Sequence, residues 1–170
     1  MAVLGLLKER AMHGYELKKE LAAHLGQFWQ VSYGSLYPAM RRMELCGAVE
    51  RVYPKGEVGR RKNIYRITPV GETMFAEALD DFESVSDDTK FRVRLAFFRY
   101  LKPDARVELL ERRRAYLTEK LAKIRSQLRT YRERMDAYAY RLMEHGVDTT
   151  AADILWIERL IAEEKAQMAE

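Results

Sequence analysis

The sequence predicts a mainly α chain in two parts, and three observations lead there. Residues 1–84 read as three short helices, a hairpin and a fourth helix. Residues 85–170 carry apolar positions spaced alternately three and four from Val107 to Leu142, the mark of a long amphipathic helix. Of the 170 residues, 48% are apolar, which is enough to build a core. The expected domains are therefore 1–84, small helices with a β-hairpin, and 85–170, an all-α domain with one long helix.

Each element has a local reason. Val3, Leu4, Leu6 and Leu7 make a first apolar helix, broken near Met12 to Gly14. Tyr15, Leu17, Leu21 and Leu25 recur on a helical period, with Gly26 as the stop. In the third helix Leu36, Met40, Met43 and Gly47 form one stripe that faces a core, leaving Gly34, Pro38, Arg41 and Arg42 on another side. Its start has two readings. With Ser35 as N-cap, Pro38 is the third helical residue, where no intrahelical N–H is needed; with Ser32 as cap, Pro38 bends the helix and frees the Gly34 carbonyl. Residues 48–53 and 63–68 alternate as strands around the basic, turn-rich tip Pro54 to Lys62. Thr68-Pro69 then opens a fourth helix, a good N-cap followed by a proline suited to the first turn.

In the second half Phe91, Val93, Leu95, Phe97, Phe98 and Leu101 populate a helix that stops at Lys102-Pro103. Asp104 caps the next, and the repeat predicts one helix from Asp104 to His145, ~60 Å long at 1.5 Å per residue. So long a helix needs a partner along its length. Gly146 is expected to end it, and Asp148 or Thr149 to cap a last helix carrying Ile154, Leu155, Trp156, Ile157, Leu160 and Ile161. Glu108 to Arg112 and Glu119 to Lys123 are stabilising pairs that make the basic face of the long helix a solvated one, and the acidic last helix offers its arginines an intersubunit partner.

Composition excludes several classes. No apolar run is long enough to span a bilayer, and the N-terminal MAVLGLL lacks the length and basic flank of a secretory signal. One cysteine, Cys46, gives no internal disulfide framework and fits a cytoplasmic protein. His13, His24 and His145 are scattered without metal-ligand spacing, GEVGRRK lacks the spacing of a phosphate loop, and no nucleophile with base and orienting group stands out. No metal, cofactor or enzymatic activity is expected.

Three helices, a hairpin and a fourth helix are the layout of a winged helix-turn-helix, whose third helix enters the DNA major groove while the hairpin tip reaches the backbone. The net charge is only +4, but from Arg41 to Arg66 eight basic residues face three glutamates. Double-stranded DNA is the expected partner, through Tyr33, Gly34, Ser35, Tyr37, Arg41 and Arg42 on the helix and Lys55, Arg60, Arg61 and Lys62 on the wing. Hydroxyls and helix N–H groups suit phosphate oxygens, and the wing cations suit phosphate as well; Arg41 and Arg42 suit guanine or phosphate. A homodimer is expected to form along Leu117, Leu121, Ile124, Leu128, Tyr131, Met135, Ile154, Trp156, Ile157 and Ile161, placing two recognition helices on a near-palindromic site. Tyr131, Tyr138 and Trp156 are candidates for an aromatic ligand pocket, against the plainer reading that they belong to the dimer core. A second reading of the whole chain is a protein-interaction module, with the winged domain as scaffold and a coiled-coil-like second half.

The sequence also resembles the PadR family of bacterial transcriptional regulators. MHGYEL at Met12 to Leu17, SYGSLYPAMRRME at Ser32 to Glu44 and GRRKNIYRITPVG at Gly59 to Gly71 carry the likeness in this order and at these separations. The second half, through FRVRLAFFRYL and its helical layout, is similar to the longer helical domain of one PadR subfamily. The resemblance implies a dimeric repressor that a small aromatic or drug-like effector releases from DNA. Only Met1 and Ala2 precede the VLGLL helix, so the N-terminal extension that some relatives use for dimer or ligand contacts is not expected.

Overall fold

The computed structural model describes residues 1–26, 32–53, 63–81 and 85–169. The chain divides into two compact units, Met1–Leu101 and Lys102–Glu170. Residues 85–101, which composition grouped with the helical half, are thus part of the first.

In the first unit α1 (Ala2–Glu9), α2 (Gly14–Leu25), α3 (Tyr33–Leu45) and α4 (Pro69–Asp80) surround a small sheet. The sheet has three antiparallel strands, β1 (Met12–His13), β2 (Val49–Val52) and β3 (Ile64–Ile67), in the order β1-β3-β2. The hairpin of β2 and β3 is the expected one, with Val49 opposite Ile67 and Arg51 opposite Tyr65. The two-residue β1, which pairs Met12 with Tyr65, is too short to leave a periodic signal. Leu4, Leu6, Leu7, Leu17, Leu21, Leu36, Met40, Val49, Tyr65, Phe75 and Leu79 are all buried, whereas Tyr15, grouped by spacing with Leu17, Leu21 and Leu25, is exposed in the first turn of α2.

The stripe on α3 differs at its end. Gly47 is exposed, with φ of 74°, and closes the helix in a Schellman arrangement: its N–H donates to the Glu44 carbonyl at 3.1 Å and the Ala48 N–H to that of Met43 at 2.8 Å. The turn returns the chain to β2 and helps set α3 against the sheet. Thr68 caps α4 as expected, accepting from the Gly71 N–H at 3.2 Å. A side chain at Gly71 would collide with the Ala48 carbonyl, so glycine is what lets α4 approach β2.

α5 is short, Asp88–Leu95, and is followed by a 3₁₀ turn, Phe98–Tyr100, instead of the longer helix expected to Leu101. Asp87 caps it, accepting from the Thr89 and Lys90 N–H groups at 2.9 Å each. Phe97 meets Phe75 edge-on at 5.9 Å and sits so close to Gly5 that a Cβ there would be 2.5 Å from its ring. That contact, with Arg94 donating to the Ala78 carbonyl at 3.3 Å, ties this segment to α1 and α4.

The second unit corrects the reading of one helix from Asp104 to His145. α6 spans Pro103–Tyr131, a 3₁₀ turn covers Arg132–Arg134, and α7 spans Ala137–Ala169. Asp136 caps α7 by accepting from the Tyr138 and Ala139 N–H groups at 2.8 Å. The two helices fold back on each other as an antiparallel hairpin, clasped far from the turn by Arg106 with Glu164 at 3.2 Å and Lys165 with Glu111 at 3.0 Å. The apolar repeat was read correctly, but much of it is satisfied within the chain: Leu110, Leu117 and Leu121 of α6 and Ile157 and Ile161 of α7 are all buried. Glu164, one of the acidic residues of the last helix expected to pair across subunits, pairs within the chain with Arg106. Gly146 lies within α7 and stops nothing, because packing outweighs a cost of about 1 kcal/mol for one helical glycine.

Candidate nucleic-acid interface

The N-terminal half of α3 is largely exposed, with Tyr33, Gly34, Ser35, Tyr37 and Pro38 all at the surface. Its start is settled in favour of Ser32, whose Oγ accepts from the Ser35 N–H at 3.2 Å. Pro38 is therefore the sixth helical residue, and having no N–H it cannot bond the Gly34 carbonyl. Leu36 and Met40 anchor one side of the helix in the core, while Ser32, Tyr33, Gly34, Ser35, Tyr37, Pro38, Arg41 and Arg42 are exposed. The sequence-derived face is the solvent face.

Two tyrosines on this face are held in place. The rings of Tyr33 and Tyr37 stack at 6.1 Å with 21° between their planes, and the Lys18 ammonium of α2 lies 3.8 Å from the Tyr33 ring centre. Tyr37 is 47% exposed but crosses Gly14, the first residue of α2; a Cβ at Gly14 would be 3.0 Å from the Tyr37 hydroxyl. The hydroxyl is thus parked beside the N-terminus of α2, where His13, Tyr15, Glu16, Lys19, Asn63 and Tyr65 complete a recess. The sequence carries this pairing only as the separated segments HGYEL and SLYP; nothing in their spacing says that glycine and tyrosine touch.

Charge on the face is narrower than counting suggested. Arg51 of β2 pairs with Glu44 of α3 at 2.8 Å, and Arg66 pairs across the strands with Glu50 at 2.7 Å. The first pair holds the Arg51 guanidinium even more firmly protonated than usual, chiefly through its hydrogen bond to Glu44. Among the described residues Arg41 and Arg42 have no carboxylate within ion-pair distance, so their charge is left for an outside anion. Lys55, Arg60, Arg61 and Lys62, the expected wing contacts, lie outside the described residues.

The expected dimer residues fall into three groups. Leu117, Leu121, Ile157 and Ile161 are buried in the chain itself; Ile124, Leu128, Met135 and Ile154 are half-buried; Tyr131 and Trp156 are exposed. The three aromatic pocket candidates are not gathered by one chain. Tyr138 and Trp156 stand ~27 Å apart along α7 at 1.5 Å per residue, and Tyr138 is 88% exposed. Tyr138, whose plainer reading is dimer core, and Leu142, left out of the expected dimer residues, are exposed and share the Trp156 side of α7 at 100° per residue. Glu108 with Arg112 and Glu119 with Lys123 form as expected, at 2.8 and 2.6 Å. Among the described residues no group of three or more metal-ligating side chains occurs, and no helix is long and apolar enough to cross a membrane.

Comparison with known proteins agrees with this geometry. Residues 3–77 match the transcriptional regulator PadR-like family, and residues 89–164 match the family described as virulence activator alpha C-term. The chain belongs to the PadR-like family of transcriptional regulators. The negative transcriptional regulator PadR of Bacillus subtilis (strain 168) is 23% identical over 69% of this chain and 68% of its own length. A crystal structure of Bacillus subtilis PadR with operator DNA covers 96% of this chain and 97% of that one, at 19% identity and a TM-score of 0.44. The same protein has been solved with p-coumaric acid. A PadR-like transcriptional regulator from Bacillus cereus strain ATCC 14579 is 30% identical over 49% of this chain and 80% of that one, with a TM-score of 0.42.

Proposed function

We propose that this regulator is a cytoplasmic homodimeric repressor that binds a near-palindromic operator and is released by a small ligand. The carrying observation is the exposed first half of α3, where Tyr33, Gly34, Ser35, Tyr37, Arg41 and Arg42 share the solvent face of a helix anchored from behind by Leu36 and Met40. Tyr33, Ser35 and Tyr37 offer hydroxyls to phosphate oxygens, Gly34 lets the backbone come close, and the two arginines reach base edges or phosphates from the next turn. Lys55, Arg60, Arg61 and Lys62 add a sequence-independent grip on the backbone.

Two such helices must be presented together for the site to be palindromic. The stripe of Tyr138, Leu142 and Trp156 on α7 supports a second copy as the occupant of that face, because large apolar side chains there are left in water by a single chain. The Bacillus subtilis relative, named a negative regulator and solved with operator DNA and with p-coumaric acid, supports repression and release by a ligand.

The test is binding of the purified protein to its own promoter and to random DNA of equal length, at several salt concentrations. A preference of about a thousandfold or more is expected for the promoter. Arg60→Ala and Lys62→Ala should each weaken binding to all sequences alike and flatten the salt slope by about one unit. Equal weak binding to both DNAs would sink the reading in favour of a protein-interaction module.

A further inference from the structure

Against α3 the first unit contains a cavity of about 900 Å³, within the roughly 300–1,000 Å³ usual for small-molecule sites, and Ser35 and Arg42, two of the proposed DNA contacts, are among its lining residues. Its walls come from α1, α2, α3, α4 and α5. Leu21, Leu36, Ala39, Met43, Met74 and Val93 make most of its surface apolar, and none of the described lining residues is aromatic. Among the described lining residues the side chains of Arg42, Lys90 and Arg94 bring three cations to it against one carboxylate, Asp81. Arg94 is built in: its guanidinium is 2% exposed, lies 3.6 Å from Asp81 and donates to the Ala78 carbonyl.

We propose that this cavity binds an aliphatic carboxylate of medium chain length and that its occupancy is linked to DNA affinity. Aliphatic walls suit a flexible hydrocarbon chain, and the three methionines, Met1, Met43 and Met74, adapt to such a chain better than branched side chains do. The excess of cations selects an anionic head, held beside Lys90 and Arg94 by charge-assisted hydrogen bonds. Leu36, Ala39 and Met43 of α3 line the cavity together with Ser35 and Arg42, which the DNA reading also uses, so the ligand touches the helix that faces DNA. A ligand that binds better to one seat of α3 than another shifts DNA affinity, and DNA shifts ligand affinity by the same factor. This last step rests on the DNA-binding reading above; the site itself does not.

The full chain carrying ¹³C-methyl methionine is titrated with decanoate, below its micelle-forming concentration, and with decanol as the uncharged match. Met43→Leu and Met74→Leu identify two of the cavity methionine resonances. Saturable shifts of both are expected with decanoate, with binding about tenfold weaker for decanol and for Lys90→Glu. Decanoate that moves neither resonance, or decanoate and decanol acting alike, overturns the site. Promoter affinity is then measured with and without decanoate: an unchanged affinity while the cavity is saturated overturns the linkage, whereas a chain that binds decanoate but no DNA preferentially refutes the regulator reading and leaves the site standing.

Discussion

At the scale of single residues, the proposed interface depends on what stands behind the tyrosines. Tyr37 can present its hydroxyl only because Gly14 leaves room for the ring. Gly14→Ala is expected to push the ring aside and weaken operator binding severalfold while thermal stability stays within about 1 kcal/mol of the parent; Tyr37→Phe keeps the ring and loses only a hydroxyl contact worth ~1 kcal/mol. Titration of operator DNA against both variants checks this, and full affinity in Tyr37→Phe would remove that hydroxyl from the contacts. A second residue-scale expectation concerns Glu111, whose carboxyl is held below its ordinary value by hydrogen bonding to Lys165 and by the nearby Arg114. A carboxylate depressed in the folded state adds stability above its unfolded value and loses it as pH falls through the folded one. Lys165→Met should therefore raise the Glu111 titration midpoint in a carboxyl-carbon NMR series and flatten the acid limb of the stability profile. An unmoved midpoint would show that the clasp between α6 and α7 is not formed in solution.

At the scale of elements, α3 and α7 show how caps and breakers act in context. Ser32 holds the first turn of α3, so Ser32→Ala is expected to cost about 1 kcal/mol in a urea melt of the full chain and to weaken DNA binding by loosening the exposed turn. Pro38 is tolerated at the sixth position because the free Gly34 carbonyl faces solvent, where water can satisfy it. Gly146 is the reverse case, a helical glycine with open space where its Cβ would be and no positive φ. Gly146→Ala should stabilise the chain by about 0.5–1 kcal/mol, read as a higher thermal midpoint. A lowered midpoint would mean that another surface comes close to α7 at that point.

At the scale of the whole molecule, the apolar repeat of α6 and α7 serves two purposes that one-dimensional periodicity merges. Leu121 is buried in the hairpin of its own chain, so Leu121→Asp is expected to unfold the second unit, seen as lost helicity by circular dichroism. Trp156→Glu changes a side chain at the surface of that chain and should leave helicity intact while sedimentation shifts from dimer to monomer. A dimer that survives Trp156→Glu would move the interface off this face of α7. Loss of the dimer would also lower operator affinity, because two half-sites would no longer be engaged together.

The sequence alone determined the mainly α class, the winged helix-turn-helix order, the β2-β3 hairpin, the Thr68-Pro69 start of α4 and the solvent face of α3. These follow from local chemistry: apolar spacing tells inside from outside, and caps and turn residues act on their immediate neighbours. Tertiary structure decided what depends on which surfaces meet. It chose Ser32 over Ser35, carried α7 through Gly146, turned the chain at residues 132–136 so that one apolar repeat became a hairpin, and brought Tyr37 onto Gly14. It also placed Phe97 against Gly5 and Phe75, and so residues 85–101 in the first unit. The physical reason is that a repeat states only that a helix has an apolar face; whether that face is covered by the same chain or by another is settled by the turn between helices and by contacts far apart in sequence.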